Sequence, residues 1–184
     1  MVEDDPVRGI TTTPVREDVD LVLSREPARE VVTDIDAALG RCMTNEAREA
    51  GKQFGALARN IVRTGKPLQR PCCVVAGGET TVTVTGNGKG GRAQEFAAAA
   101  ALEIAGLADV WVMAIGTDGT DGPTDAAGAV VDGDTAARAQ RRSIDLESAL
   151  KCHNTYPALK KLHQLITTGP TGTNVNDLYL LLML

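Results

Sequence analysis

Three aspartates stand close together in residues 116–128, GTDGTDGPTDAAG, at Asp118, Asp121 and Asp125. Their spacing of three and then four residues does not match the alternating ligands of a calcium EF-hand loop. Mg²⁺ takes one or two carboxylates, keeps several waters and bridges to substrate phosphates, so we expect Asp118 and Asp121 to be magnesium ligands. The alternative is that these aspartates cap turns by accepting hydrogen bonds from nearby backbone N–H groups.

A glycine-rich loop with two cations occupies residues 86–92, GNGKGGR. Glycine lets the backbone approach a ligand without a Cβ in the way, and the free N–H groups of the helix predicted to follow attract anions. Lys89 and Arg92 add positive charge at the same place. We therefore expect a cradle for a phosphate or carboxylate here, with a plain strand-to-helix turn as the alternative.

The same loop fits the GxGxxG pattern of dinucleotide-binding proteins through Gly86, Gly88 and Gly91. This keeps open a reductase that uses NAD(P)H. Two features weaken it: the preceding run TTVTVT has threonines on one face, whereas the strand of such a unit is usually apolar on both. The dinucleotide-binding pattern also requires an acidic residue ~20 residues further on, at the end of the next strand. Neither candidate fits, because Asp109 precedes the predicted strand at 110–116 and Asp118 comes too late in the sequence.

A third polar loop occupies residues 168–177, TGPTGTNVND, and lacks the GK[ST] ending of a Walker loop. Thr171, Thr173 and Asn174 offer hydroxyl and amide groups that suit a phosphate or a hydroxy acid, or simply close the loop. Glu79 and Glu95 are candidate acid/base or Mg²⁺ groups. An acid in a first helical turn, the place of Glu95, is also favoured by the helix dipole alone.

Composition excludes several classes of protein. The chain has 184 residues, a net charge of −5 and only 3% aromatic residues. It contains no concentrated Lys/Arg block, so we expect no nucleic-acid surface. The N-terminus has no apolar signal region, and the C-terminal run LYLLLML is too short to span a bilayer, so we expect no membrane association. Four cysteines without a CxxC pair indicate reduced, buried thiols and a cytoplasmic protein.

The elements that must position these loops follow from hydrophobic periodicity. Helices are predicted at residues 27–39, 45–65 with Asn45 as N-cap, 92–106, 135–142, 146–151 and 156–164. Strands are predicted at residues 20–24, 72–76, 80–85, 110–116, 128–133 and 177–184. The short Gly-Gly connection between 72–76 and 80–85 predicts an antiparallel hairpin.

Strands and helices intermix along the chain, which predicts an α/β fold with a mixed parallel/antiparallel sheet flanked by helices. In such sheets ligands bind at loops beyond the carboxyl ends of strands. The three polar loops are predicted to have that placement. Residues 1–44 form a poorly defined N-terminal segment, and residues 45–184 form the α/β domain.

Three long stretches make a family resemblance visible: GGETTVTVTGNGKGGRAQE, GTDGTDGPTDAAGAVVDG and TGPTGTNVNDL. They resemble the hallmark stretches of the MOFRL domain, the C-terminal domain of class II glycerate 2-kinases that are often labelled hydroxypyruvate reductases. The run NEAREAGKQFGALAR resembles the helix that precedes them. The resemblance covers the chain from about residue 45 to its end, in the right order.

The resemblance implies ATP-dependent, Mg²⁺-assisted phosphorylation of D-glycerate to 2-phosphoglycerate, in a cleft between this domain and a larger N-terminal Rossmann-like domain. It makes Arg92 the catalytic candidate. Asp118 and Asp121, selected above from the residues of their loop, are the metal candidates. The substrate- and phosphate-binding candidates are Glu79, Thr80, Gly88, Lys89, Gly90, Gln94, Glu95, Thr171, Thr173 and Asn174.

This sequence departs from the family pattern in two ways. Ala93 stands where the family has asparagine, so a polar contact to the substrate or the loop is expected to be missing. Residues 1–44 are too few for the N-terminal domain, so we expect a truncated chain that is inactive without that domain or a homo-oligomeric partner. The alternatives are a reductase using NAD(P)H and a non-catalytic binding or assembly module.

Overall fold

The computed structural model describes residues 21–23 and 46–184. The predicted helix at 27–39, the predicted N-cap Asn45 and the thiol of Cys42 lie outside the described residues. The strands are β1 (Leu21–Leu23), β2 (Cys72–Gly78), β3 (Val110–Gly116), β4 (Gly128–Asp132), β5 (Leu165–Ile166) and β6 (Asp177–Met183). The helices are α1 (Ala47–Thr64), α2 (Arg92–Glu103), α3 (Thr135–Arg141), α4 (Leu146–Lys151) and α5 (Thr155–Lys161).

The mixed helix-and-sheet class is confirmed, but the expected parallel part of the sheet is wrong. The strand order is β1-β2-β6-β3-β4-β5, and every neighbouring pair of these strands is antiparallel. β2 and β3 do run in the same direction, with α2 between them in the chain. The C-terminal strand β6 inserts between them and pairs antiparallel with both, so the parallel strands never become hydrogen-bonded neighbours.

The predicted hairpin of residues 72–76 with residues 80–85 is also wrong. Both edges of β2 are occupied, by β1 on one side and β6 on the other. Residues 80–85 instead lie against the start of α1, where Thr81 accepts the backbone N–H of Ala47 at 2.8 Å. The carboxylate of Glu46 accepts both the hydroxyl of Thr83 at 2.6 Å and its backbone N–H at 3.1 Å.

Small residues let the two longest helices pack very closely. A Cβ on Gly51 of α1 would lie 2.2 Å from the carbonyl oxygen of Phe96 in α2, so only glycine fits. Residues 97–101 of α2 are alanines and are all completely buried. Beneath them Phe96 packs between the rings of Phe54 and Tyr179, with centroid distances of 5.4 Å and 4.3 Å. This aromatic cluster joins the helices to the sheet.

All three polar loops lie at the same end of the sheet, where β2 and β3 finish and β6 begins. The last residues of β2 and β3, Gly78 and Gly116, are each paired with Asp177, the first residue of β6. The loops that follow β2 and β3 and the loop that precedes β6 therefore leave the sheet side by side. The predicted position of these loops at strand ends follows from this register, although the sheet is antiparallel.

Within the residues that the structure describes, no helix is both long and apolar enough to cross a bilayer. The cysteines differ in environment. Cys72 is buried, and burial raises the pKa of its thiol to about 11. Cys152 is exposed, contrary to the expectation of buried thiols, because it follows the short helix α4 at the surface.

Candidate functional site

A cavity of about 760 Å³ opens at the edge of the sheet where the loops meet. Its wall includes residues from the segment after β2, the glycine-rich loop, the first turn of α2 and the aspartate loop. The site candidates that line it are Glu79, Thr80, Gly88, Gly90, Arg92, Glu95, Asp118 and Asp121. Residues that are far apart in the chain meet in its wall, such as Glu95 and His153, which are 58 positions apart.

Arg92, the first residue of α2, is held by two carboxylates. Its Nε and Nη2 donate to the two oxygens of Asp177 at 2.6 and 3.0 Å, which is a bidentate pair. Its Nη1 donates to Glu79 at 2.9 Å. The Asp177 carboxylate raises the pKa of Arg92 further above its ordinary value, so the guanidinium is charged at every working pH. The plane of Arg92 is fixed before any ligand arrives.

Asp177, which fixes Arg92, is itself held by a hydrogen bond from a core residue. The carboxylate of Asp177 also accepts the hydroxyl of Tyr179 at 3.1 Å, and that hydroxyl lies 3.1 Å from the Thr80 hydroxyl. Burial raises the pKa of Tyr179, which keeps its hydroxyl protonated. The buried ring of Tyr179 packs on Phe96, so the orientation of Arg92 depends on the hydrophobic core.

Asp121 caps α2 from a different loop. Its two carboxylate oxygens accept the backbone N–H groups of Ala93 and Gln94 at 3.1 and 2.9 Å. The side chain of Gln94 donates in turn to Thr124 at 3.0 Å. The helix N-terminus that was expected to receive a ligand's anion therefore already binds a carboxylate of the chain itself. Burial raises the pKa of Asp121 to about 6, against the lowering effect of these N–H groups.

The glycines of the glycine-rich loop have a packing role that the sequence did not indicate. A Cβ on Gly88 would lie 2.1 Å from the carbonyl oxygen of Cys152, and one on Gly90 would lie 2.3 Å from the Thr155 hydroxyl oxygen. A Cβ on Gly91 would lie 2.3 Å from the carboxyl carbon of Asp121. These positions are bare because other parts of the protein fill the space, which fixes the loop against residues 152–155.

The aspartate loop and the 168–177 loop are in direct contact. The backbone N–H of Thr171 donates to the carbonyl of Asp118 at 3.1 Å, and its hydroxyl donates to the Thr117 carbonyl at 2.5 Å. Thr173 and Asn174 are exposed on the same loop, beside the cavity wall and not among its lining residues. The third loop thus supports Asp118 from outside.

Asp118 has a carboxylate oxygen to spare. Its Oδ1 accepts the N–H of Thr120 at 2.9 Å, which lowers the pKa of the carboxyl group. Asp121 uses both oxygens on α2, as described above. No cluster of three or more His, Cys, Asp or Glu side chains able to hold a metal ion occurs among residues 21–23 and 46–184.

A buried histidine, His153, also lines the cavity. The Nδ1 of His153 lies 2.6 Å from Oε1 of Glu95, and its Nε2 lies 3.2 Å from the Thr85 hydroxyl. Arg48 completes the group, with its Nη2 3.6 Å from Oε2 of Glu95. No short-range pattern in the sequence links these residues, since they come from α1, the end of the 80–85 segment, α2 and the segment before α5.

The expected second cation lies elsewhere. The ammonium of Lys89 stands 4.7 Å from the centre of the Tyr156 ring and is not among the lining residues. The ionisable lining residues are Arg92, His153 and four carboxylates, from Glu79, Glu95, Asp118 and Asp121. Ala93 is completely buried in the core cluster, so its side chain does not face the cavity. The cavity is therefore more acidic than the sequence predicts.

Asp177 and Tyr179 hold Arg92 in place, and neither was selected as a candidate from the sequence. The strict alternation of burial in β6 places both on the same face as Leu181, inside the core. A buried aspartate needs a cationic or hydrogen-bonding partner. Arg92, the first residue of α2, is that partner.

Comparison with known proteins gives consistent matches. Residues 72–177 match the MOFRL family. The glycerate 2-kinase of Pyrococcus horikoshii is 49% identical over 137 residues, which are 74% of this chain and 31% of the relative. A protein of Agrobacterium vitis named putative hydroxypyruvate reductase is 36% identical over 181 residues, 94% of this chain and 47% of the relative.

A crystal structure of glycerate kinase from Thermotoga maritima has the same fold in the shared region, with a TM-score of 0.75 and 48% identity. The match covers 77% of this chain and 34% of that one. The chain thus spans between about a third and about half of the length of these relatives.

Proposed function

Because this chain belongs to the MOFRL family, we propose that it forms one side of the active site of a glycerate 2-kinase, which transfers a phosphoryl group from ATP to the 2-hydroxyl of D-glycerate. The observation that supports this most strongly is that two of the three family stretches line one cavity that contains Arg92. The third stretch contacts these lining residues, through Asp177 on Arg92 and Thr171 on Asp118. Its relatives named glycerate 2-kinase are two to three times as long, so the other side of the site is proposed to come from the N-terminal domain that the family resemblance implies.

Arg92 is proposed to neutralise charge on the transferred phosphoryl group or on the substrate carboxylate. A guanidinium carries five N–H donors. Three of them are used by Asp177 and Glu79, which leaves one on Nη1 and one on Nη2 for a ligand oxygen. Phosphoryl transfer depends mainly on positioning and charge stabilisation, and the fixed guanidinium supplies both without reorganising.

The remaining residues are proposed to hold the metal ion and to support the walls of the cavity. Asp118 would hold Mg²⁺ through its spare oxygen, and the ion would offset the negative charge of the ATP phosphates. Asp121 holds the first turn of α2 in place, and the glycine-rich loop, fixed on residues 152–155, closes one wall of the cavity. The acidic lining predicts that a polyanion binds well only with a divalent cation or with a cation from the other domain.

The experiment is a complementation assay. The chain is mixed with the separately expressed N-terminal part of the Thermotoga maritima relative, and ADP release is followed with ATP, Mg²⁺ and D-glycerate. Turnover is expected only when both parts are present, and Arg92→Ala should abolish it. Glu49→Gln, an exposed carboxylate in α1 that is paired with Lys52, is the control and should be active. Calorimetry that shows neither Mg-ATP nor D-glycerate binding to the mixture would refute the proposal.

The reductase alternative has the name of the Agrobacterium vitis relative in its favour. The structure offers it little, because Gly86 and Gly88 of the GxGxxG pattern pack on residues 152–153, Gly91 packs on Asp121, and residues 80–85 before them do not form the predicted strand. A dinucleotide fingerprint needs a parallel β-α-β unit. Saturable NADH binding seen by fluorescence would favour the reductase. A non-catalytic module would instead leave partner binding unchanged in Arg92→Ala.

A further inference from the structure

The two carboxylates that hold Arg92 are attached very unequally. Asp177 makes two hydrogen bonds to the guanidinium, and its side chain is only 1% exposed. Glu79 makes one hydrogen bond, and its side chain is 56% exposed. Glu79 also follows the last residue of β2, where the chain has left the sheet.

Asp177 cannot leave Arg92 without a large loss. Its carboxylate accepts hydrogen bonds from Arg92, in the first turn of α2, and from the hydroxyl of Tyr179. Asp177 itself is held in place by the pairing of β6 with β2. Removing the cationic partner from a buried carboxylate leaves an uncompensated charge, which is among the most destabilising changes in a protein. Asp177 therefore fixes the position of Arg92 and is not exchanged for a ligand.

Glu79, by contrast, is held only by an exposed ion pair, and such pairs contribute little because both groups are well solvated when apart. The oxygen of Glu79 occupies a donor of Arg92 on the cavity side, since both residues line the cavity. An oxyanion that arrives at Arg92 meets one positive charge already balanced by two carboxylates. Release of Glu79 frees an N–H donor and removes one of the two negative charges that repel the oxyanion.

We propose that Glu79 is a built-in competitor for the oxyanion of a ligand at Arg92, displaced when a phosphate or carboxylate binds, whereas Asp177 is the positioning residue that stays in place. The proposal rests on the proposed role of Arg92 in binding the anionic group of the ligand. The ligand class is an oxyanion such as a phosphate or a carboxylate, and competition from Glu79 weakens its binding.

The test is a calorimetric titration of the full chain with inorganic pyrophosphate in the presence of Mg²⁺, at constant ionic strength. Glu79→Gln should bind about fivefold more tightly than the unmodified chain, as expected when an exposed ion pair no longer has to be broken. Glu49→Gln removes one negative charge from a side chain of similar exposure, 52%, also paired with a single cation. It should match the unmodified chain, which separates the local effect from a change in net charge. Arg92→Ala should lose binding.

A second readout follows the carboxyl groups directly. In the unmodified chain, the carboxyl ¹³C resonance of Glu79 should move with added pyrophosphate in proportion to saturation, and that of Asp177 should stay in place. Unchanged or weaker binding by Glu79→Gln would overturn the competitor role, even if Arg92→Ala abolishes binding and so supports the anion site. Absence of pyrophosphate binding by every variant at millimolar concentration would overturn the anion site as well. Failure of the kinase proposal is seen separately, as absence of ADP release in the complementation assay.

Discussion

Substitution of Gly88 by alanine tests whether the glycine-rich loop is fixed by packing. The added Cβ would lie 2.1 Å from the carbonyl oxygen of Cys152 and 2.5 Å from the backbone of His153. Ordinary contacts begin at 3.4 Å, so the overlap exceeds one ångström, and neither backbone atom can rotate away. The loop or residues 152–155 must shift. Such overpacking typically costs about 1–3 kcal/mol, and we expect a loss of about 2–3 kcal/mol for Gly88→Ala.

The measurement is equilibrium urea unfolding at neutral pH, with the midpoint and the slope fitted separately. In a thermal scan the same loss lowers Tm by roughly 4–12 °C for a chain of this size. Gly77→Ala is the matched control, because its Cβ would meet only the Asp177 carbonyl oxygen at 3.9 Å. The control should stay within about 0.5 kcal/mol of the unmodified chain. If Gly88→Ala unfolds at the same urea concentration as Gly77→Ala, the loop is not packed as described.

Three further predictions follow from the same contacts. Phe96→Ala should cost about 3–5 kcal/mol in urea unfolding, because it removes a completely buried ring between Phe54 and Tyr179. Asp177→Asn should lower the free energy of unfolding by about 2–3 kcal/mol, whereas Glu79→Gln should change it by less than about 1 kcal/mol. For Asp121, whose pKa is raised from 3.8 to about 6, the folded state binds more protons than the unfolded state between these values. Stability contributed by this group should therefore fall as pH rises from about 4 to 6, and Asp121→Asn should flatten that part of a urea-unfolding pH series.

Local pattern was sufficient for the helices that lie within residues 46–184. The apolar spacing before Gly65 predicts α1, which ends at Thr64 with Gly65 in the left-handed conformation as its C-cap. The alanine-rich run predicts α2, and the structure shows why alanine is needed, since α1 approaches within contact of its backbone at Gly51. Here local propensity and tertiary packing favour the same residues.

The strand pairing and the contacts within the site depend on residues that are far apart in the sequence. The run TTVTVT alternates like a strand, yet the edge it would need on β2 is taken by β6, a segment about a hundred residues later. The same insertion of β6 brings Asp177 to Arg92 and so creates the fixed guanidinium at the centre of the site. Likewise, the role of Asp121 as the cap of α2 could not be predicted from its neighbours, because the hydrogen-bonded backbone lies on another segment. Motif spacing located the loops, but not which groups within them are already occupied.

The central claim is that three loops form one site for an anionic ligand at Arg92. Its most direct test is to map the backbone amide NMR shifts of the chain during titration with Mg-ADP and D-glycerate. We predict that residues 88–92, 116–121 and 168–177 shift together at a common midpoint, and that Arg92→Ala removes the response of all three segments. Shifts confined to one segment, or located at the far ends of β3 and β4, would contradict the account.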